Sequence, residues 1–76
     1  MLAILITVDA RNMLYVWAMQ ADQSELLFKF QLTWQDPSDF AVTCDFFLRE
    51  KAIIISSRMG ENVVVTSKFQ QFPVVA

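Results

Sequence analysis

The chain has 76 residues, of which 55% are hydrophobic and 18% charged, and its formal net charge is −2. That composition is too apolar for a disordered chain and too short for several domains, and it lacks the Lys/Arg surplus that neutralises phosphates, which argues against a nucleic-acid partner. With no His, one Gly and one Cys, the chain has no material for a His-based triad, a phosphate-cradling glycine loop, a thiolate pair or a zinc site, so a non-enzymatic protein without cofactor or metal is expected.

Six strands are expected in chain order, because no segment repeats apolar residues at helical spacing. Residues 3–8 (AILITV) form a dense aliphatic run suited to a strand buried on both faces. No basic residue precedes the run, Asp9 and Arg11 follow it, and its length falls well short of the ~20 apolar residues that cross a bilayer, so neither a signal peptide nor a membrane span is expected. Residues 13–19 (MLYVWAM) are rich in aromatic and β-branched side chains, which fit a pleated surface. In residues 25–34, Leu26, Phe28, Phe30, Leu32 and Trp34 alternate with Leu27, Lys29, Gln31 and Thr33, the period of a half-buried strand. Residues 40–47 place Phe40, Val42, Cys44 and Phe46 on one side. Residues 52–57 (AIIISS) are again aliphatic, and residues 62–67 (NVVVTS) are β-branched. The tail contains Pro73, which has no amide donor and suits a linker or an edge rather than a central strand. Polar, turn-prone clusters separate the runs, giving an all-β antiparallel meander.

An internal repeat organises these elements. Residues 52–67 align without a gap on residues 3–18, at an offset of 49 residues, with Ala3/Ala52, Ile4/Ile53, Ile6/Ile55 and Val16/Val65 identical. Each copy reads as an aliphatic strand, a small hydroxyl residue, a turn and a second strand. A hairpin follows in each copy, with the first turn centred on Arg11 and Asn12 and the second pairing in the same register. Residues 25–34 should then lie beside 13–19, and 40–47 beside 52–57.

The repeat unit resembles part of a WD40-type β-propeller blade, in which four antiparallel strands, a to d, recur roughly every 40 to 50 residues. Residues 7–17 (TVDARNMLYVW) resemble a strand b, turn and strand c ending in Trp, and residues 42–57 (VTCDFFLREKAIIISS) resemble strand a leading through its hairpin into strand b. The resemblance implies one unit over residues 1–76: strands b, c and d of one blade over 1–34, then strands a, b and c of the next over 40–68, as two three-stranded sheets. The family's Trp-Asp dipeptide is Trp17-Ala18 in the first copy and Thr66-Ser67 in the second. Without a His, the family's hydrogen-bonded set of Asp, His, Ser/Thr and Trp cannot form in full.

What the resemblance implies about role is a scaffold that presents loops to other proteins, or that pairs with the remainder of a propeller. In the family such contacts fall on the d-to-a and b-to-c loops, here residues 35–39, 9–12 and 59–61, which makes Arg11, Asp36, Arg58 and Met59 the candidate partner contacts. Two other readings stay open: a structural protein whose copies pair their strand edges as a homo-oligomer, and a small β-barrel ligand carrier. A lone Cys44 favours an intracellular, cytoplasmic or nuclear, location. Cys44 itself is expected to be a small buried hydrophobe. Asp9, Asp39, Asp45 and Glu50 are expected as turn or solvated carboxylates, and Thr7, Ser56 and Ser57 as hydroxyls bonded to backbone.

Overall fold

The computed structural model describes residues 3–47, 49–68 and 70–74, and among these it contains strands and no helix. Two compact units divide the chain, residues 1–32 and 33–76. No helix among the described residues is long and apolar enough to cross a membrane.

The first unit is a three-stranded antiparallel sheet of β1 (Ala3–Val8), β2 (Met13–Met19) and β3 (Ser24–Gln31), in the order β1-β2-β3. The second is a four-stranded antiparallel sheet of β4 (Ala41–Phe47), β5 (Ala52–Ser57), β6 (Asn62–Thr66) and β7 (Gln71–Pro73), in the order β4-β5-β6-β7. All four neighbour relations expected from the sequence are present. The strand count is not: among the described residues there are seven strands rather than six, and the second sheet has four rather than three. The added strand is the Pro73 segment. Pro73 opposes Val63 on β6, and as an edge strand β7 tolerates the missing amide donor. On the other sheet, β3 ends at Gln31, short of the expected Trp34, although Leu32 still donates its amide to the Asn12 carbonyl at 2.9 Å.

The two hairpins share one turn geometry. Asp9 donates its amide to the Met13 carbonyl at 3.0 Å and Asn12 donates to the Asp9 carbonyl at 3.0 Å; Ser57 donates to Glu61 at 2.8 Å and Gly60 to Ser57 at 3.1 Å. The last loop residue is left-handed in both, with φ 62° at Asn12 and φ 89° at Gly60, which only Asn and Gly adopt readily. These turns match Asn12 with Gly60, 48 residues apart, whereas the strands match at 49. The second hairpin therefore does not keep the expected register. Ile4 opposes Ala18, but its repeat mate Ile53 opposes Val65 rather than residue 67.

A two-residue displacement of register leaves every side chain on its own face. Leu14 and Val16 are buried in the first sheet, and their repeat mates Val63 and Val65 in the second. What changes is the hydrogen-bond ladder. Asp9 and Met13 form a bonded pair, so Leu14 and Val16 oppose β1 at non-bonded positions, while Ser57 and Glu61 form a bonded pair and put Val63 and Val65 at bonded positions. In an L-amino-acid strand the side-chain face fixes the direction of the amide, so the two meanders bury opposite faces. Ile53, Ile55 and Ser57 complete the buried row of β5.

Candidate functional site

The second unit gathers its polar side chains around the segment that leads into β4. Residues 33–40 follow the end of the sheet, and hydrogen bonds fix them at successive points. Gln71 clasps Thr33, donating Nε2–H to its carbonyl at 2.6 Å and accepting from its amide through Oε1 at 3.1 Å. Gln35 donates its amide to Glu61 Oε1 at 2.9 Å. Asp36 closes a local turn, its Oδ1 accepting from the Ser38 amide at 2.9 Å and the Ser38 hydroxyl at 2.7 Å. Arg58 donates its amide to the Phe40 carbonyl at 2.9 Å.

Asp39 is the centre of this lacing. It is buried, and its Oδ1 accepts from the Phe40 amide at 2.9 Å and the Met59 amide at 3.2 Å. The Ser57 hydroxyl is a further donor to its carboxylate. Burial opposes ionisation, but the Ser57 hydroxyl and the Phe40 and Met59 amides outweigh it, so the carboxyl sits below its ordinary range even with Asp36 nearby. A carboxylate committed to these donors positions a loop; it is not poised to take a proton. Of the two expectations for Asp39, the turn holds, its amide donating to the Asp36 carbonyl at 3.0 Å, and the solvated carboxylate is corrected, because the β5–β6 turn folds over it. Ser57 also accepts from the Glu61 amide at 3.0 Å, which joins turn and carboxylate in one network.

Two shallow clefts flank this network. Gln35, Asp36, Asp39, Met59, Gly60 and Glu61 line one of about 330 Å³. The other, of about 280 Å³, lies along Thr33, Trp34, Val63, Gln71 and Pro73 and shares Gln35 and Glu61 with the first. Of the candidate contacts, Asp36 and Met59 therefore line one cleft, and Arg58 is exposed in the turn beside them. Met59 is 61% exposed. Arg11 is exposed in the corresponding turn of the first unit.

The first unit's turn is built around Asp9. Its Oδ1 accepts from the Arg11 and Met13 amides, each at 2.9 Å, and its Oδ2 from the Tyr15 hydroxyl at 3.2 Å. The Met13 amide does most to hold this carboxyl below its ordinary range, and the bond to Asp9 raises the Tyr15 hydroxyl above its own. Tyr15 stacks on Trp17 with ring centroids 6.0 Å apart, and the Trp17 indole N–H donates to Thr7 Oγ1 at 3.0 Å. Thr7 is thus bonded to a side chain rather than to backbone. Ser56 likewise bonds a side chain, Asn62 Oδ1, at 2.6 Å.

Cys44 is exposed rather than buried, since β4 is an edge strand with little cover on either face. Partial desolvation, then the neighbouring Asp45 carboxylate, raise its thiol pKa, the reverse of what activates a nucleophile. Among the described residues, no three His, Cys, Asp or Glu side chains cluster in a way that could hold a metal ion. Sequence reasoning missed Gln71 and placed Glu61 in the 59–61 loop without singling it out, since a lone polar residue in a turn or short tail carries no spacing signal. For Asp39 a signal existed: an Asp directly ahead of a strand, where its carboxylate can accept a neighbouring amide.

No family model, no curated protein and no solved structure matches this chain.

Proposed function

We propose that the chain is a non-enzymatic protein–protein interaction module, built as a divergent segment of a WD40-like propeller. The observation that carries this reading is the Asp39 network, which pins the segment before β4 to the β5–β6 turn and leaves Asp36, Arg58 and Met59 exposed on a fixed backbone. Preordered, solvent-facing side chains on loops are the usual material of recognition surfaces, because binding then orders little that is not already ordered.

Two further features support the propeller segment. The second sheet has the four-stranded meander order of a blade. The bond from Trp17 to Thr7 joins a Trp and a Thr at the positions where the family hydrogen-bonds Trp to Ser/Thr, and Asp39, ahead of strand a, forms a buried pair with Ser57.

The test is a variant carrying Arg11→Ala, Asp36→Asn, Arg58→Ala and Met59→Ala together. Asn at position 36 keeps the acceptor for Ser38, and the backbone bonds of Arg58 and Met59 do not depend on their side chains. The expected result is loss of the proteins that the wild-type chain retains from its source-cell extract, with the melting temperature held within a few degrees. Retention of the same proteins by the variant would remove the loop surface from the proposal.

A further inference from the structure

Four strands form the edges of the two sheets, and three of them carry the features that discourage pairing with another chain. β3 has Glu25 and Lys29, β4 has Asp45, and β7 is three residues long and contains Pro73. β1 has none. Its sequence, AILITV, contains no charge, Pro or Gly and is aliphatic on both faces.

The internal repeat shows where such a strand belongs. Its mate β5 is central, held between β4 and β6, whereas β1 pairs with β2 alone. Exposure follows: Ile53 is 3% exposed and its mate Ile4 is 41% exposed, with Leu5 at 45%. β1 thus has the composition of a central strand at an edge position. The backbone is ready as well. Because Asp9 is bonded to Met13, the alternation of the antiparallel ladder turns the amides of Leu5 and Thr7 toward β2 and those of Ile4, Ile6 and Val8 toward the open edge.

We propose that the open edge of β1 docks an extended strand from another protein, running antiparallel to β1 and apolar at alternate positions. The occupant of the matching edge in the second sheet defines this chemistry. β4 runs antiparallel to β5 and brings Phe46 and Phe47 opposite Ile53 and Ala52. The partner strand accordingly carries bulky apolar residues facing the Ala3 and Ile4 end of β1. A different strand is favoured over a second copy because the mate of β1 is covered by a sequence unlike its own. The other edges a second copy could offer carry Glu25, Lys29, Asp45 or Pro73. This surface is separate from the loop surface proposed above, and either can fail without the other.

The probe is a fluorescent synthetic peptide with the sequence of residues 40–47, Ser in place of its Cys, and lysines added at both ends for solubility. Titrated into the wild-type chain, it should raise fluorescence anisotropy saturably and slow hydrogen exchange at the amides of Ile4, Ile6 and Val8. Two variants close the edge differently: Ile4→Pro removes one outward donor without removing a bond to β2, and Leu5→Lys adds a charge at an exposed position. Each should weaken the peptide by tenfold or more while keeping a cooperative melting transition. Absence of saturable binding, or equal binding by wild type and both variants, would overturn the proposal. So would sedimentation of the peptide-free wild type as a dimer that Leu5→Lys converts to monomer, since the occupant would then be a second copy.

Discussion

Across the β1–β2 ladder, Trp17 donates its indole N–H to Thr7 Oγ1 at 3.0 Å, although the backbone opposite Trp17 is that of Leu5. The bond is therefore diagonal, and the stacked Tyr15 ring fills the place directly across from Thr7. A Trp in a strand has a large apolar body and one donor that needs a partner, and here one period of side-chain alternation, from Leu5 to Thr7, brings the hydroxyl to it.

Thr7→Val keeps the shape and the β-branched stem but removes the acceptor. A net cost of about 0.5–1.5 kcal/mol is expected, read as a fall of several degrees in melting temperature, whereas Thr7→Ser should restore most of it. The Trp17 emission maximum should shift in the Val variant and not in the Ser variant. Equal melting temperatures for all three proteins would show that the indole bond adds nothing to stability.

The repeat mates Ile53 and Ile4 give a second comparison. Ile53 is 3% exposed, so Ile53→Ala removes buried methyl groups and leaves a cavity, at a cost of about 2–5 kcal/mol. Ile4 is 41% exposed, and Ile4→Ala should cost about 1 kcal/mol or less. Chemical denaturation of the two variants measures the difference. Identical residues in an aligned repeat would then differ in energy through their surroundings and not through their chemistry.

These positions also mark what the sequence could and could not disclose. Alternation and β-branching locate six strands and their neighbours, because a half-buried sheet requires that pattern whatever its surroundings. The gapless repeat finds the buried mates Leu14/Val63 and Val16/Val65, since each keeps its face. It misplaces the second register, because the turn is set by whichever residue can become left-handed: Gly60 does so one position earlier than alignment with Asn12 requires. The seventh strand escaped because three residues ending in Pro have neither the length nor the composition of a strand. Asp39 escaped for a different reason. A buried carboxylate looks like a solvated one until the donors around it, here Ser57 and the amides of Phe40 and Met59, are brought together by folding.

Gly60 has φ 89°, and a Cβ built there would meet no atom within 4 Å. Substitution therefore tests backbone strain alone. Gly60→Ala should destabilise by about 1–2 kcal/mol, Gly60→Asn by less, and Gly60→Val by more because its branched Cβ fits the left-handed region worst. Thermal melts of the three variants supply the ranking. An Ala variant as stable as wild type would mean that the β5–β6 turn relaxes into another type.

Three carboxylates, Asp9, Asp36 and Asp39, are held below their ordinary value of 3.8 in the folded chain, each chiefly through hydrogen bonds donated to the ionised form. A folded-state pKa below the unfolded one means that the unfolded chain binds more protons, so stability rises with pH through this range. The contribution is complete above the unfolded pKa and is lost as pH falls through 3.8 toward the folded values. Tyr15 works in the other direction. Its hydroxyl, donating to Asp9, is raised above 10.0, so its contribution is complete below pH 10.0 and is lost as pH rises through the folded value. Melting temperature plotted against pH should therefore be flat near neutrality and fall on both sides. Asp39→Asn keeps an acceptor for the Phe40 and Met59 amides but presents an NH₂ group toward Ser57, so it should lower the plateau and make the acid fall shallower. Tyr15→Phe should remove Tyr15's share of the alkaline fall, leaving the share that begins above pH 9.0 from the raised Cys44 thiol, and should leave the acid limb close to that of wild type, apart from the small share of Asp9's shift that the Tyr15 hydroxyl supplies. An acid limb unchanged by Asp39→Asn would show that the network around Asp39 does not favour its ionised form.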